Sequence, residues 1–525
     1  MFETAELERK LSRHEYKERV PALRAELLEA QRQLREEASF PVILVFAGVD
    51  GAGKGEIVNL LSSWLDPRWL VTRAYEAPSE EERERPEYWR YWRDLPPKGQ
   101  IGLFLSSWYS VPILNRVAEG TQLSVFDEQL DRIVAFEEGL ADDGAMILKF
   151  WLHLDKAAQK KRFKKLEKDP QLSWRVTETD WKHWRMYDKF VEAAERTLRK
   201  TSTGQAPWKI VEGFDLGYSS TTIGTMISEE ILKHLGRARR RAAVLQAHRE
   251  AEAEAQAAVA AVEAEAEATA TEGDRHKQPQ AATVLSALDM DKSLAKGEYN
   301  KLLNNYQGEL NQLHRRARER KLSALLVFEG ADAAGKGGAI RRITGALDAR
   351  SYQVIPIAAP TDEERAQHYL WRFWRHLPRG GRITIFDRSW YGRVLVERVE
   401  GFASETDWMR AYAEINDFEE QLVEYGIVLV KYWVHISAQE QLERFQAREQ
   451  TPHKAWKLTD EDWRNREKWG AYELAVNDMV ERTSTRIAPW TLIEGNDKRY
   501  ARVAVLRTLC ERLEQALGKA GDGKK

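Results

Sequence analysis

The chain has 525 residues, 43% of them hydrophobic and 31% charged, with a formal net charge of -2. Such a length exceeds one ordinary core, so two or more domains are expected, and a near-neutral charge offers no general affinity for DNA, so any anion site must be local. The sole cysteine, Cys510, excludes an intramolecular disulfide, MFETAELERK has no apolar leader, and no apolar run is long enough for a bilayer; a cytoplasmic protein without a membrane span is expected.

In chain order, a charged amphipathic helix is predicted over Leu7–Leu34, then an apolar strand over Val42–Phe46, then a Gly-rich turn from Gly48 to Lys54 with Asp50 inside it. The next helix carries Ile57, Leu60, Leu61, Trp64 and Leu65, the spacing of one buried face. Later the series repeats. VFAGVDGAGKG around Lys54 recurs as VFEGADAAGKG around Lys336, an offset of 282 (336 − 54). The same offset links Trp89-Arg90 to Trp371-Arg372, Ser107-Trp108-Tyr109 to Ser389-Trp390-Tyr391, Lys149 to Lys431, and Thr201-Ser202-Thr203 to Thr483-Ser484-Thr485.

Self-similarity over this span means two domains of one fold, taken as 1–235 and 285–525. Between them, 236–284 is an Ala/Glu-rich linker whose composition favours helix but offers little apolar stripe to bury. The second copy repeats the order: a helix over Glu298–Arg318, a strand over Ala324–Phe328, a Gly-rich turn, and a helix bearing Ile340, Ile343 and Leu347. Short apolar strands then lead into Asp387, His435 and Gly495. Buried β-rich runs alternating with helices imply an α/β fold, a parallel sheet flanked by helices in each copy. Ligands in such sheets sit at the carboxyl ends of the strands.

Gly330-Ala-Asp332-Ala-Ala-Gly335-Lys336 fits G-x-x-x-x-G-K between a strand and a helix. Main-chain N–H groups of such a loop cradle phosphate oxygens, and Lys336 adds a positive charge. The Ser or Thr that usually follows the lysine as a magnesium ligand is Gly337 here, so Asp332 is the candidate to hold the metal instead. Asp387 ends a strand 51 positions after Lys336 (387 − 336), where a second metal carboxylate is expected. Arg388 and Arg393 follow it and can neutralise a transferring phosphoryl group. The span from Gln439 to Trp469 lacks glycine and holds Arg444, Arg448, Lys454, Lys457, Arg464, Arg466 and Lys468. Each alone reads as a solvated helix residue; as a set they suggest a helical lid over an anionic substrate. Arg372, Arg375, Lys498 and Arg499 are further candidate phosphate contacts. Trp390 and Tyr391 are read as packing residues, and His153 and His435 as satisfied core histidines.

The first copy keeps its loop lysine but has Leu105, Ser106 and Val111 where the second has Asp387, Arg388 and Arg393. It retains parts for binding an anion and lacks those for turnover.

Taken together, Gly330–Gly337, Trp371–Pro378 (W-R-x-W-R-x-L-P), Asp387–Tyr391 (D-R-S-W-Y) and Asn496–Arg499 (N-D-K-R) resemble the family-2 polyphosphate kinases, over both repeats. The fused layout resembles the members that move phosphate from inorganic polyphosphate to AMP. The resemblance implies two tandem P-loop kinase-like domains, each with a helical lid, together with Mg²⁺ dependence, a basic channel for the polymer, and catalytic positions at Asp332, Lys336, Asp387, Arg388 and Arg393. The residues alone leave ATP equally open as donor, and a polyphosphate-binding scaffold as the non-enzyme alternative. Base preference, polymer length and self-association stay open.

Overall fold

In the computed structural model, residues 1–267, 283–450 and 460–522 are described. The chain divides into two compact units, the first comprising Met1–Ala77, Asp94–Gln278 and Ala366–His368, the second Pro78–Arg93, Pro279–Arg365 and Tyr369–Lys525.

The first unit is built on five parallel strands: β1 (Val42–Gly48), β2 (Leu70–Ala74), β3 (Ile101–Leu105), β4 (Met146–His153) and β5 (Trp208–Glu212). They lie in the order β2-β3-β1-β4-β5. The second unit repeats this with β6 (Ala324–Gly330), β7 (Tyr352–Pro356), β8 (Ile383–Asp387), β9 (Val428–His435) and β10 (Trp490–Glu494), ordered β10-β9-β6-β8-β7. The expected parallel sheets flanked by helices are both present. In each, the strand that feeds the Gly-rich turn is central, which makes its residues the most fully buried; Leu325, Leu326, Val327 and Phe328 are all at 0% exposure. Ile340 and Ile343 pack beneath β6, and Val505 and Leu509 of the helix Lys498–Asp522 join the same core.

Element limits differ from the sequence expectation where caps decide them. The first long helix spans Arg13–Glu37 rather than starting at Leu7, because Ser12 and Glu15 form a reciprocal capping box that fixes its first turn. The helix after β5 runs without a break from Leu216 to Glu267, through the first part of the expected linker; 268–282 lie outside the described residues. Among the described residues, no helix is long and apolar enough to cross a membrane.

Candidate active site

The turn after β6 is shaped by two glycines. At Gly330, with φ 149°, a Cβ would meet Val434 O at 2.4 Å, so the backbone passes β9 only because no side chain is there. Gly335, with φ 112°, caps the helix Lys336–Thr344, whose first N–H groups face the turn. Lys336 is the first helical residue, and its Nζ donates to Gly330 O at 2.6 Å and Ala331 O at 3.3 Å. The lysine is thus folded over the loop it serves. At Gly337 a Cβ would meet nothing within 4 Å, so space does not exclude a Ser or Thr there.

Asp332 sits inside the turn at 13% side-chain exposure. Arg388 Nη2 donates to its Oδ1 at 3.0 Å, Asn465 Nδ2 to its Oδ2 at 2.8 Å, and Gln441 Nε2 to its carbonyl at 3.2 Å. Asp387 ends β8 directly opposite Phe328, two residues before Gly330. Arg388 follows with φ 65°, a left-handed conformation that costs a non-glycine residue energy, and its N–H donates to Phe328 O at 3.0 Å. Burial opposes the charge of Arg388, but Asp332 and Glu329 outweigh it and hold the guanidinium above its ordinary pKa.

Arg444 is 5% exposed, and its guanidinium is fully engaged. It donates to the carbonyls of Ala333, Ala334, Gly495 and Asn496 at 2.6–2.9 Å and pairs with Glu440 at 2.6 Å. It ties the turn after β6 to the turn after β10. Arg393 stands over the Tyr369 ring at 4.5 Å and pairs with Glu397 at 3.2 Å. Arg372 and Arg375 pair with Glu364 at 3.2 Å and Glu363 at 3.4 Å, on the short helix Asp362–Arg365. Lys498 begins the last helix, and Arg499 lies 3.8 Å from Asp497. Lys454 and Lys457 lie outside the described residues. The structure therefore gathers Gly330, Asp332, Gly335, Lys336, Gly337, Asp387, Arg388 and Arg444 at one place, and engages Arg372, Arg375 and Arg393 with neighbouring acids.

Next to this cluster opens a pocket whose walls include Leu395, Val396, Trp433, Trp469, Tyr472 and Val476, with Glu329, Asp332 and Arg388 at its polar end. His435 is in its wall too, which corrects the expectation of a satisfied core histidine; burial pushes its pKa down to about 4. His153, by contrast, is buried at 1%, with its Nε2 2.7 Å from Glu6 Oε1 and its ring stacked on Phe2, while its Nδ1 is buried without a hydrogen-bond partner.

Behind the turn, Trp390 and Tyr391 are buried, but they do more than pack. Trp390 Nε1 and Tyr391 OH donate to Glu419 Oε1 at 3.1 and 2.6 Å, and Lys431 Nζ donates to Glu419 Oε2, Tyr391 OH and Thr483 O at 2.6–2.9 Å. All of the ammonium protons are used, which is what an ion pair at 0% exposure of its lysine requires. The first unit builds the same network from Trp108, Tyr109, Glu137, Lys149 and Thr201.

The first unit's turn differs in what fills it. Lys54 Nζ donates to Gly48 O at 2.7 Å, as Lys336 does to Gly330. Asp50, however, is held by His183 at 2.8 Å, and Glu56, two residues into the helix, pairs with Arg175 at 2.9 Å and Arg162 at 3.6 Å. The second copy has Gly338 where Glu56 stands (338 − 282 = 56). A carboxylate already lies at that helix N-terminus.

Sequence reasoning missed Glu329, Gln441, Asn465 and the Glu419–Lys431 pair. For Glu329 and Asn465 a signal existed: the offset places Ala47 and His183 opposite them, differences as informative as Leu105.

The sequence pattern of the polyphosphate kinase 2 family matches residues 10–234 and 293–520. The chain belongs to the polyphosphate kinase 2 family. Relatives align along nearly the whole of this chain, across both repeats. A polyphosphate:AMP phosphotransferase of Pseudomonas aeruginosa is 50% identical over 528 residues, which cover 99% of this chain and 100% of the relative. One of Acinetobacter johnsonii is 38% identical, covering 94% and 96%. A solved structure of a polyphosphate kinase 2 from Pseudomonas aeruginosa superposes with a TM-score of 0.84 at 47% identity, covering 99% of this chain and 100% of that one. Each of the two spans matched by the family pattern contains one of the two parallel sheets.

Proposed function

We propose that this enzyme transfers the terminal phosphoryl group of inorganic polyphosphate to AMP with Mg²⁺, giving ADP and a polymer one phosphate shorter. We assign the transfer to the repeat over 285–525, with 1–235 as a non-transferring repeat and 236–284 as linker. The observation that supports this most is Asp332, fixed from both sides by Arg388 and Asn465 between a phosphate-type turn and an apolar pocket. The name borne by full-length relatives supports the donor and acceptor.

In this reading the turn's N–H groups and Lys336 hold the donor end of the polymer. The aromatic and aliphatic pocket takes the adenosine, and its polar end faces the AMP phosphate. An oxygen of that phosphate attacks the terminal phosphorus in line, the P–O bond to the rest of the polymer breaks, and the shortened polymer leaves with the electron pair. Arg388 neutralises the equatorial oxygens as charge moves.

Asp332 and Asp387 supply hard oxygen donors, and each carboxylate oxygen of Asp332 keeps a lone pair beyond the hydrogen bond it accepts. Among the described residues no group of three or more His, Cys, Asp or Glu forms a cage. A pair of carboxylates suits Mg²⁺, which keeps several waters and binds substrate phosphates. When bound, the ion supplies charge neutralisation and alignment of the phosphates. The test is ADP formation from AMP and polyphosphate with no ATP present, with and without Mg²⁺.

A further inference from the structure

β6 delivers a carboxylate, Glu329, immediately before Gly330, and the side chain is 5% exposed at the polar end of the pocket. Ser389 Oγ donates to its Oε1 at 2.8 Å, and the same hydroxyl accepts from Tyr391 N at 3.3 Å. The residues on either side are stitched in step. Phe328 lies opposite Asp387, Phe328 O accepts from Arg388 N at 3.0 Å, and Glu329 then holds Ser389. Glu329 is therefore tied to the segment that carries Asp387 and Arg388. Burial pushes its pKa up, while Lys336, Ser389 and Arg388 pull against that shift.

The first repeat supplies the control. It has Ala47 in place of Glu329 and keeps Ser107 in place of Ser389. The Ser107 hydroxyl is buried with no hydrogen-bond partner. Its bend survives all the same: Ser106, opposite Arg388, keeps a left-handed φ of 52°. The carboxylate is thus not needed to form the bend. It is absent from the repeat that also lacks counterparts of Asp387 and Arg388.

We infer that Glu329 is a positioning residue for phosphoryl transfer, anchoring Ser389 so that Asp387 and Arg388 are held in register with the phosphate-binding turn. A small misplacement of charge-stabilising groups lowers rate more than binding. The inference rests on the transfer proposed above.

The test is steady-state ADP formation by the full chain with the substitutions Glu329→Ala, Glu329→Gln, Ser389→Ala and the Glu329→Ala/Ser389→Ala pair, folding being checked by near-UV circular dichroism. Glu329→Ala is expected to lower kcat by about tenfold or more, with KM for AMP and for polyphosphate within about threefold. Glu329→Gln, whose amide oxygen still accepts from Ser389, is expected to restore most of the rate. Ser389→Ala is expected to match Glu329→Ala, and the pair to be no worse than either. A Glu329→Ala rate within twofold of wild type, a Gln variant as slow as the Ala variant, or additive losses in the pair would overturn it. Should Glu329→Ala fail to fold, the Gln and Ser389→Ala rates decide alone by the same limits. Absence of wild-type turnover in this assay would instead overturn the proposed reaction.

Discussion

Asn465 Nδ2 donates to Asp332 Oδ2 at 2.8 Å, and at the corresponding point of the first repeat His183 Nδ1 lies 2.8 Å from Asp50 Oδ2. Both repeats orient the turn's carboxylate from the helical segment after β9 or β4, but with different chemistry. Asn465 is neutral at every pH, whereas an imidazole can carry a charge that competes with a cation. Hydrogen bonds to a charged group contribute about 1.5–3 kcal/mol. Asn465→Ala is therefore expected to lower kcat/KM by about tenfold or more and to raise the Mg²⁺ concentration needed for half-maximal rate. A Mg²⁺ titration of the variant measures both, and an unchanged titration would remove Asn465 from the site.

The buried network behind the turn makes a stability prediction. Lys431→Met leaves Glu419 buried without its counter-charge and is expected to destabilise by about 3–5 kcal/mol. Adding Glu419→Gln removes the stranded charge and is expected to recover part of that loss. Urea unfolding of wild type, single and double variants, followed by tryptophan fluorescence, gives the comparison.

His435 sets a pH dependence. Burial lowers its pKa from the ordinary 6.5 to about 4. Between those values the unfolded chain binds more protons than the folded one, so stability rises with pH through this window and is flat, as far as His435 is concerned, above it. The span is worth up to about 3 kcal/mol. His435→Asn is expected to flatten the slope between pH 4 and 6.5 relative to wild type in parallel unfolding experiments.

The second compact unit takes in Pro78–Arg93, where Trp92 stacks on Trp374 at 5.8 Å and Glu84 pairs with Arg379 at 2.7 Å. A fragment over 285–525 alone lacks that segment and bares the Trp374 surface. It is expected to unfold at lower denaturant than the same unit within the full chain, and to bind the dye ANS where the full chain does not.

Much of this was legible from residues alone. The duplication, the strand order feeding a Gly-rich turn, and the pairing of Asp387 with that turn all follow from local patterns: apolar runs, glycines at forced backbone positions, and a fixed offset. What stayed hidden depends on long-range placement. Arg444 reads as one more basic residue of a helix, yet it is buried against the carbonyls of two turns. Arg372 and Arg375 read as phosphate contacts, yet each has an acidic partner from a helix eight to twelve residues earlier. Glu329 falls between the expected strand and the Gly-rich turn, and no local pattern reveals that Ser389, 60 positions on, supplies its hydrogen bond. The membership of Pro78–Arg93 in the second unit has no sequence signature, since the repeat offset places that segment in the first.

The central claim, that one repeat carries the transfer, is tested most directly by initial rates of ADP formation from AMP and polyphosphate, without ATP, for Lys54→Ala and Lys336→Ala. Both lysines fold over their loops alike, but in the first repeat Glu56 already lies at the helix N-terminus, and Leu105 and Ser106 replace the charged pair. Lys336→Ala is expected to lose about 100- to 1,000-fold or more, while Lys54→Ala keeps most of the wild-type rate. A folded Lys54→Ala protein as slow as Lys336→Ala would contradict the assignment.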